Sequence, residues 1–216
     1  MAISDISLTS GMRSNLVSLQ STVELLNRTQ ERLATGKRVN SPLDNATNYF
    51  VAKSHMDRAE DLSVRKDGMG EAIQTVKSAN EGIKAITDLI ASAKGIAQSA
   101  LSAGTTERAT LATQFGAIRT QIDQLAEDSG YKGTNLLDSG TLEVKFNEDG
   151  SNTLSITGFD ASTSGLSISA AAGSWATDEN INAAITNLDN ALTTLRSEAK
   201  TLSSNLNIIT TRNSFT

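Results

Sequence analysis

Apolar residues return at steps of three and four over most of this chain. A stripe of that period is buried only when a helix packs against other helices. The cleanest run is Ile181, Ile185, Leu188, Leu192, Leu195, Ala199, Leu202, Leu206 and Ile209. A longer one starts at Met69 and continues through Ala72, Val76, Ala79, Ile83, Ile86, Ile90, Ala93, Ala97 and Ala100. A third comprises Leu111, Phe115, Ile118, Ile122 and Leu125. These three stripes have to share one core, with Ile83, Ile86 and Ile90 facing Phe115, Ile118 or Ile122 on one side and Leu188, Leu192 and Leu195 on the other. Aromatic residues make up only 4% of the chain, so Ala, Leu, Ile and Val must fill that core, as suits a thin helical bundle.

A fourth stripe lies near the N-terminus. Leu16, Leu19, Val23, Leu26, Gln30 and Leu33 have the a/d spacing of a coiled coil, with Gln20, Glu24, Asn27, Arg28 and Glu31 on the faces between. Such a helix needs a partner to be stable. Its end is marked by Gly36, which takes the left-handed conformation without penalty, followed by the cations Lys37 and Arg38. After Asn40, the segment Ser41-Pro42-Leu43-Asp44 reads as a helix start. Ser41 would be its cap, Pro42 its first residue and Asp44 an acid facing the positive end of the dipole. The spacing then predicts a helix from about residue 42 to 102, roughly 90 Å long at 1.5 Å per residue. Tyr49, Ala52, Met56 and Ala59 form the first part of its stripe.

Gly104 ends that helix, and Thr106 and Glu107 open another that stops near Ser129 and Gly130. Two alternating runs, TLEVKF (141–146) and TLSIT (153–157), flank NEDGSN and predict a β-hairpin. Residues 158–177 are rich in Gly, Ser, Ala and Thr and read as a loop or weakly ordered insert. Thr177, Asp178 and Glu179 cap and charge the start of the last helix. The expected fold is mainly α, an elongated helical bundle or coiled-coil rod with a small β-hairpin insert. The division is 1–35 as an N-terminal helix, 36–41 as a hinge, 42–138 with 178–216 as the helical rod, and 139–177 as hairpin and variable loop.

The residues carry no pattern for chemistry. No Cys is present, which removes thiolate nucleophiles, thiolate metal sites and disulfides. The single histidine, His55, stands two residues from Asp57 on a helix, so the two point to different faces. Neither HExxH nor GxSxG occurs. Asn147, Glu148 and Asp149 before Gly150 read as a turn rather than a calcium loop. No catalytic, cofactor-binding or metal residues are therefore assigned, and the chain is expected not to be an enzyme. A net charge of −5 argues against nucleic acid as the partner. No apolar run reaches the roughly 20 residues that cross a bilayer, and the N-terminus lacks the basic and apolar regions of a cleaved signal peptide. Trp175 reads as a packing residue.

The stretch LATGKRVNSPLDNATNYFVAK (33–53) resembles the N-terminal part of bacterial flagellins, through Leu33, Gly36, Arg38, Asn40, Ser41, Asp44 and Ala46. YKGTNLLDSG (131–140) and FDASTSGLSI (159–168) are similar to two further segments of that family. The resemblance implies a secreted, extracellular structural subunit of the flagellar filament that self-assembles into a helical polymer for motility. Leu16, Leu19, Val23, Leu26 and Leu33 would be its polymerisation interface, and Gly36, Arg38, Asn40, Ser41, Pro42 and Asp44 its hinge. Its partners would be other copies of itself, a flagellar export chaperone and hook-associated proteins. Flagellins end in a second C-terminal stretch that packs beside the N-terminal helix. This sequence shows no counterpart, so the chain is expected not to polymerise by itself. Two other readings stand beside this one: a hook–filament junction protein, which shares the hinge type, and a secreted coiled-coil module that docks a chaperone or membrane through the Leu16–Leu33 stripe.

Overall fold

The computed structural model describes residues 9–216. Among these, the helices are α1 (Ser10–Thr35), α2 (Ala46–Ser102), α3 (Thr105–Asp128) and α4 (Asp178–Phe215). Strands β1 (Thr141–Lys145) and β2 (Thr153–Thr157) pair antiparallel between α3 and α4, and a 3₁₀ turn (Ala172–Trp175) precedes α4. The fold is thus mainly α with one small two-stranded sheet. The chain divides into two compact units, one ending at Glu60 and the other spanning Asp61–Thr216.

In the second unit the stripes of α2, α3 and α4 meet in one core. Ile83, Ile86, Ile90, Phe115, Ile122, Leu188 and Leu195 are buried, and Ile118 and Leu192 pack at its margin half-exposed. Alanines supply much of the rest on α2, at positions 72, 79, 93, 97 and 100, so the helix backbones can approach closely. Gly82 takes this furthest. A Cβ built there would lie 2.7 Å from Leu137 Cδ1 and 2.9 Å from Ser129 Cβ, too close for any larger residue. What reads in the sequence as a helix-weakening glycine is a packing requirement of the tertiary structure.

Polar contacts tie the helices together around this core. Lys94 of α2 pairs with Asp189 of α4 at 2.5 Å, and Arg108 of α3 with Asp178 of α4 at 2.6 Å. The Ser78 hydroxyl donates to the Ser129 carbonyl at 3.1 Å. Asn135 closes the end of α3. Its amide donates to the carbonyls of Ala126 and Glu127, both at 2.8 Å, while its side-chain oxygen accepts from the Leu137 N–H. Those carbonyls are among the groups that every helix C-terminus leaves without intrahelical partners. Leu136 and Leu137 are thereby held in the core, and their carbonyls accept from the N–H groups of Phe159 and Ala161.

The hairpin register sets Leu142 opposite Ile156 and Val144 opposite Leu154, so one face of the sheet is apolar and packs on the core. Residues 158–177 depart from the expected weakly ordered insert. Ala161, Leu166, Ile168 and Trp175 are buried. Thr163 is held by Asp123 of α3, whose two carboxylate oxygens accept from its N–H (2.7 Å) and hydroxyl (3.1 Å). Arg119, one turn earlier, donates to the Ile168 carbonyl and the Thr163 hydroxyl. The segment is irregular because its backbone bonds are divided among α3 side chains, the 136–140 turn and its own short turns, and a polar composition does not reveal that. Trp175 packs against Phe115 with ring centroids 4.9 Å apart.

The long helix also begins later than its stripe suggests. Residues 41–44 form a β-turn, closed by the Asp44 N–H donating to the Ser41 carbonyl, with Pro42 at its second position. Asn45 caps α2, its side-chain oxygen accepting from the Asn48 N–H at 2.9 Å. Ser41 is therefore not the cap and Pro42 not the first helical residue. Burial along α2 starts only at Met69, and Met56, in the earlier part of the stripe, is 57% exposed. Urea unfolding followed through Trp175 fluorescence should separate the two halves. Ile86→Ala is expected to cost about 2–5 kcal/mol, whereas Met56→Ala should stay within about 0.5 kcal/mol. Equal losses would contradict this division of the helix.

Candidate self-association surface

Every residue of α1 lies outside the core. Leu16, Leu19, Val23, Leu26 and Leu33 are all exposed, Leu33 to 84%, and Gln30 shares their face. Leu16, Leu19 and Val23 line a shallow apolar depression with Gln20, Glu24 and Asn27 at its edges. Fully burying a leucine is worth about 1.5–3 kcal/mol, so this row is a substantial source of association energy. Met12 extends the row by one turn, and Val17 and Leu25 are exposed on the far side of the helix. Those three were not singled out from sequence. Val17 and Leu25 break the heptad and gave no periodic signal.

The hinge is a compact polar junction. Gly36 closes α1 in the left-handed conformation at φ +66°. Asn40 then bonds twice: its side-chain oxygen accepts from the Thr35 hydroxyl, and its N–H donates to the Asp44 carboxylate at 3.1 Å. The other Asp44 oxygen faces Arg28 at 3.7 Å and Arg32 at 3.8 Å, both on the last turns of α1. Asp44 thus ties the turn at 41–44 back to the helix that precedes it. Its role is an anchor for α1 rather than a charge at the start of α2. The Asn40 N–H holds the Asp44 carboxyl below its ordinary value, helped by the Ser41 backbone and by Arg32 and Arg28, while partial burial opposes them. Arg38 is exposed and Pro42 and Ser41 belong to the turn. Asn45 was missed in the sequence, although an Asn directly before the first helical residue is itself a cap signal.

Residues 3–141 match the family described as the bacterial flagellin N-terminal helical region. The chain belongs to that family. It is 30% identical over 155 residues to flagellin FljO of Caulobacter vibrioides, covering 70% of this chain and 57% of that protein. It is 29% identical over 206 residues to flagellin FljM of the same bacterium, covering 94% of this chain and 75% of that one. The chain thus spans about three-fifths to three-quarters of these flagellins. The crystal structure of Bacillus cereus flagellin shares the fold, with a TM-score of 0.61 at 17% identity, covering 70% of this chain and 89% of that one. The family match takes in α1, the hinge, α2 and α3, and so includes the whole exposed row and the junction behind it.

Among the described residues no helix is long and apolar enough to cross a membrane, and no three His, Cys, Asp or Glu side chains converge as metal ligands would.

The junction has a defined acid response. Because the folded Asp44 value lies below the ordinary 3.8, its stabilisation is complete above that value and is lost as pH falls through the lower folded value. An NMR titration should therefore give an Asp44 midpoint below 3.8, with the Asn40 amide signal moving in step. Asp44→Asn should remove that coupled shift and speed hydrogen exchange at the Asn40 amide. A normal Asp44 midpoint would exclude the arrangement.

Proposed function

We propose that this protein is a structural subunit of the bacterial flagellar filament, exported from the cell and working by self-association rather than catalysis. The observation that carries the reading is a flagellin-family chain whose first helix has no buried residue and carries a continuous apolar row. Most helical stability in proteins comes from packing an amphipathic face rather than from propensity, so α1 gains most of its stability when that row is covered. In the filament, Leu16, Leu19, Val23, Leu26 and Leu33 form the polymer interface, and residues 36–41, with Pro42 and Asp44, form the hinge between it and the rest. Residues 42–138 and 178–216 form the helical rod, with Ile83, Ile86, Ile90, Phe115, Ile118, Ile122, Leu188, Leu192 and Leu195 as its core. Residues 139–177 form the hairpin and variable surface. An export chaperone and hook-associated proteins are the other partners of such a subunit. The named relatives are flagellins, which favours the filament over the hook–filament junction.

Immunogold microscopy with antibodies to this chain, in the bacterium that encodes it, tests the reading. Label is expected along the whole filament. Label confined to the hook end would support the junction protein, and filaments without label would overturn both. Leu19→Asp should remove the chain from filaments while Trp175 fluorescence stays native. Incorporation of the Leu19→Asp chain at the normal level would show that the row is not the interface.

A further inference from the structure

We propose that the free edge of β1 binds an extended segment of a partner protein, added antiparallel and carrying an acidic residue followed two positions later by a basic one. Among the described residues no third strand joins the sheet. In an antiparallel pair, alternate residues turn both backbone groups toward the neighbouring strand. The Gly158 N–H donates to the Gly140 carbonyl at 2.7 Å and the Phe146 N–H to the Asn152 carbonyl at 2.9 Å. With the register between them, this gives the bonds to β2 to Leu142 and Val144. Thr141, Glu143 and Lys145 therefore turn their N–H and C=O groups outward. Such an edge is a template for one more strand.

A groove runs beside that edge, with α2 as its other wall. Val64, Arg65 and Gly68 of α2 and Glu143, Val144 and Lys145 of β1 line an open space of about 160 Å³, all within the second unit. Gly68 adds no side chain to the wall, and a Cβ built there meets nothing within 4 Å. Arg65 is half-buried, and its Nε–H has no acceptor. A strand lying against β1 turns the carbonyls of its far edge toward α2, where that donor stands. Edge strands are often guarded by a lysine. Here the Lys145 side chain bends toward the hairpin turn, its Cδ lying 3.4 Å from a Cβ built at Gly150, and leaves the edge open.

Charge selects the occupant. Glu143 and Lys145 project from the exposed face of β1, and the ion pairs among the described residues include neither of them, nor Arg65. Opposite charges directly across two strands attract and like charges repel. An antiparallel occupant, followed from its N-terminus, meets Lys145 before Glu143. It therefore needs the acid first and the base second. The outer edge of β2 carries Thr153, Ser155 and Thr157, which have no charge to select a partner.

NMR on the full chain tests this. In the free protein the Glu143 and Lys145 amides should exchange with solvent faster than those of Leu142 and Val144. The probe is a short synthetic peptide of alternating threonine and valine in which glutamate precedes lysine by two positions. It should give saturable shifts at the Glu143 and Lys145 amides, and a peptide with the two charges in reverse order should bind about tenfold more weakly. The double variant Glu143→Lys, Lys145→Glu should reverse that preference. Lys145→Pro removes an outward N–H without touching the bonds to β2, so it should weaken binding while Trp175 fluorescence stays native. Slow exchange at Glu143 and Lys145 in the free chain would mean that the edge is already covered, by a second copy if sedimentation also shows a dimer, and would overturn the proposal. No saturable shift with either peptide, or equal binding of both, would overturn it as well. Tighter binding of the reversed peptide would mean parallel addition and overturn the arrangement.

Discussion

The structure depends on how closely α2 lets its neighbours approach. From Met69 to Ala100 its inner face is built mainly from alanines and isoleucines, with Thr75, Val76 and Gly82, and that narrow surface packs with α3, α4 and the turn carrying Leu136 and Leu137 into one core. Small side chains give little apolar area each, so the core gains its energy from length and from close packing. At Gly82 the fit leaves no room for a Cβ. The polar bridges between helices are partly exposed ion pairs, which contribute little stability and serve to fix register.

The same chain divides into a part that satisfies itself and a part that does not. In the second unit even an irregular, serine-rich segment finds partners, through Arg119, Asp123 and Asn135. In α1 the apolar row is as regular as any in the core, yet none of it is covered. For a flagellin-family protein this contrast has a physical use. On the proposed reading of α1 as an assembly helix, the self-contained second unit keeps its fold while the uncovered row makes association favourable.

Between these parts, the Asp44 junction shows how a few polar groups define where one helix ends and the next begins. The left-handed Gly36 stops α1, and Asp44 draws the turn back onto Arg28 and Arg32. The cap of α2 consequently moves to Asn45. Each contact is individually weak, but all act on the short stretch between α1 and α2, so the path of the chain is set by their agreement.

The periodicity of the sequence was enough to determine the helices, the hairpin and the core face, because burial of Ile86, Ile122 or Leu188 follows from which side of a helix they occupy. The family likeness was legible in the hinge and in the NLLD segment, whose glycines, Asn135 and Asp44 are held by backbone geometry and local hydrogen bonds. Tertiary structure alone decided the rest. It tied the 41–44 turn back to α1 through Asp44, Arg28 and Arg32, which left Ser41 in the turn rather than at a cap. It made Gly82 a necessity and the 158–177 segment an anchored layer, because both depend on groups distant in sequence, in α3 and the turn after it. It also separated two stripes that look alike in sequence. The row in α1 and the row in α2 have the same spacing, and only the position of other helices determines which one is buried.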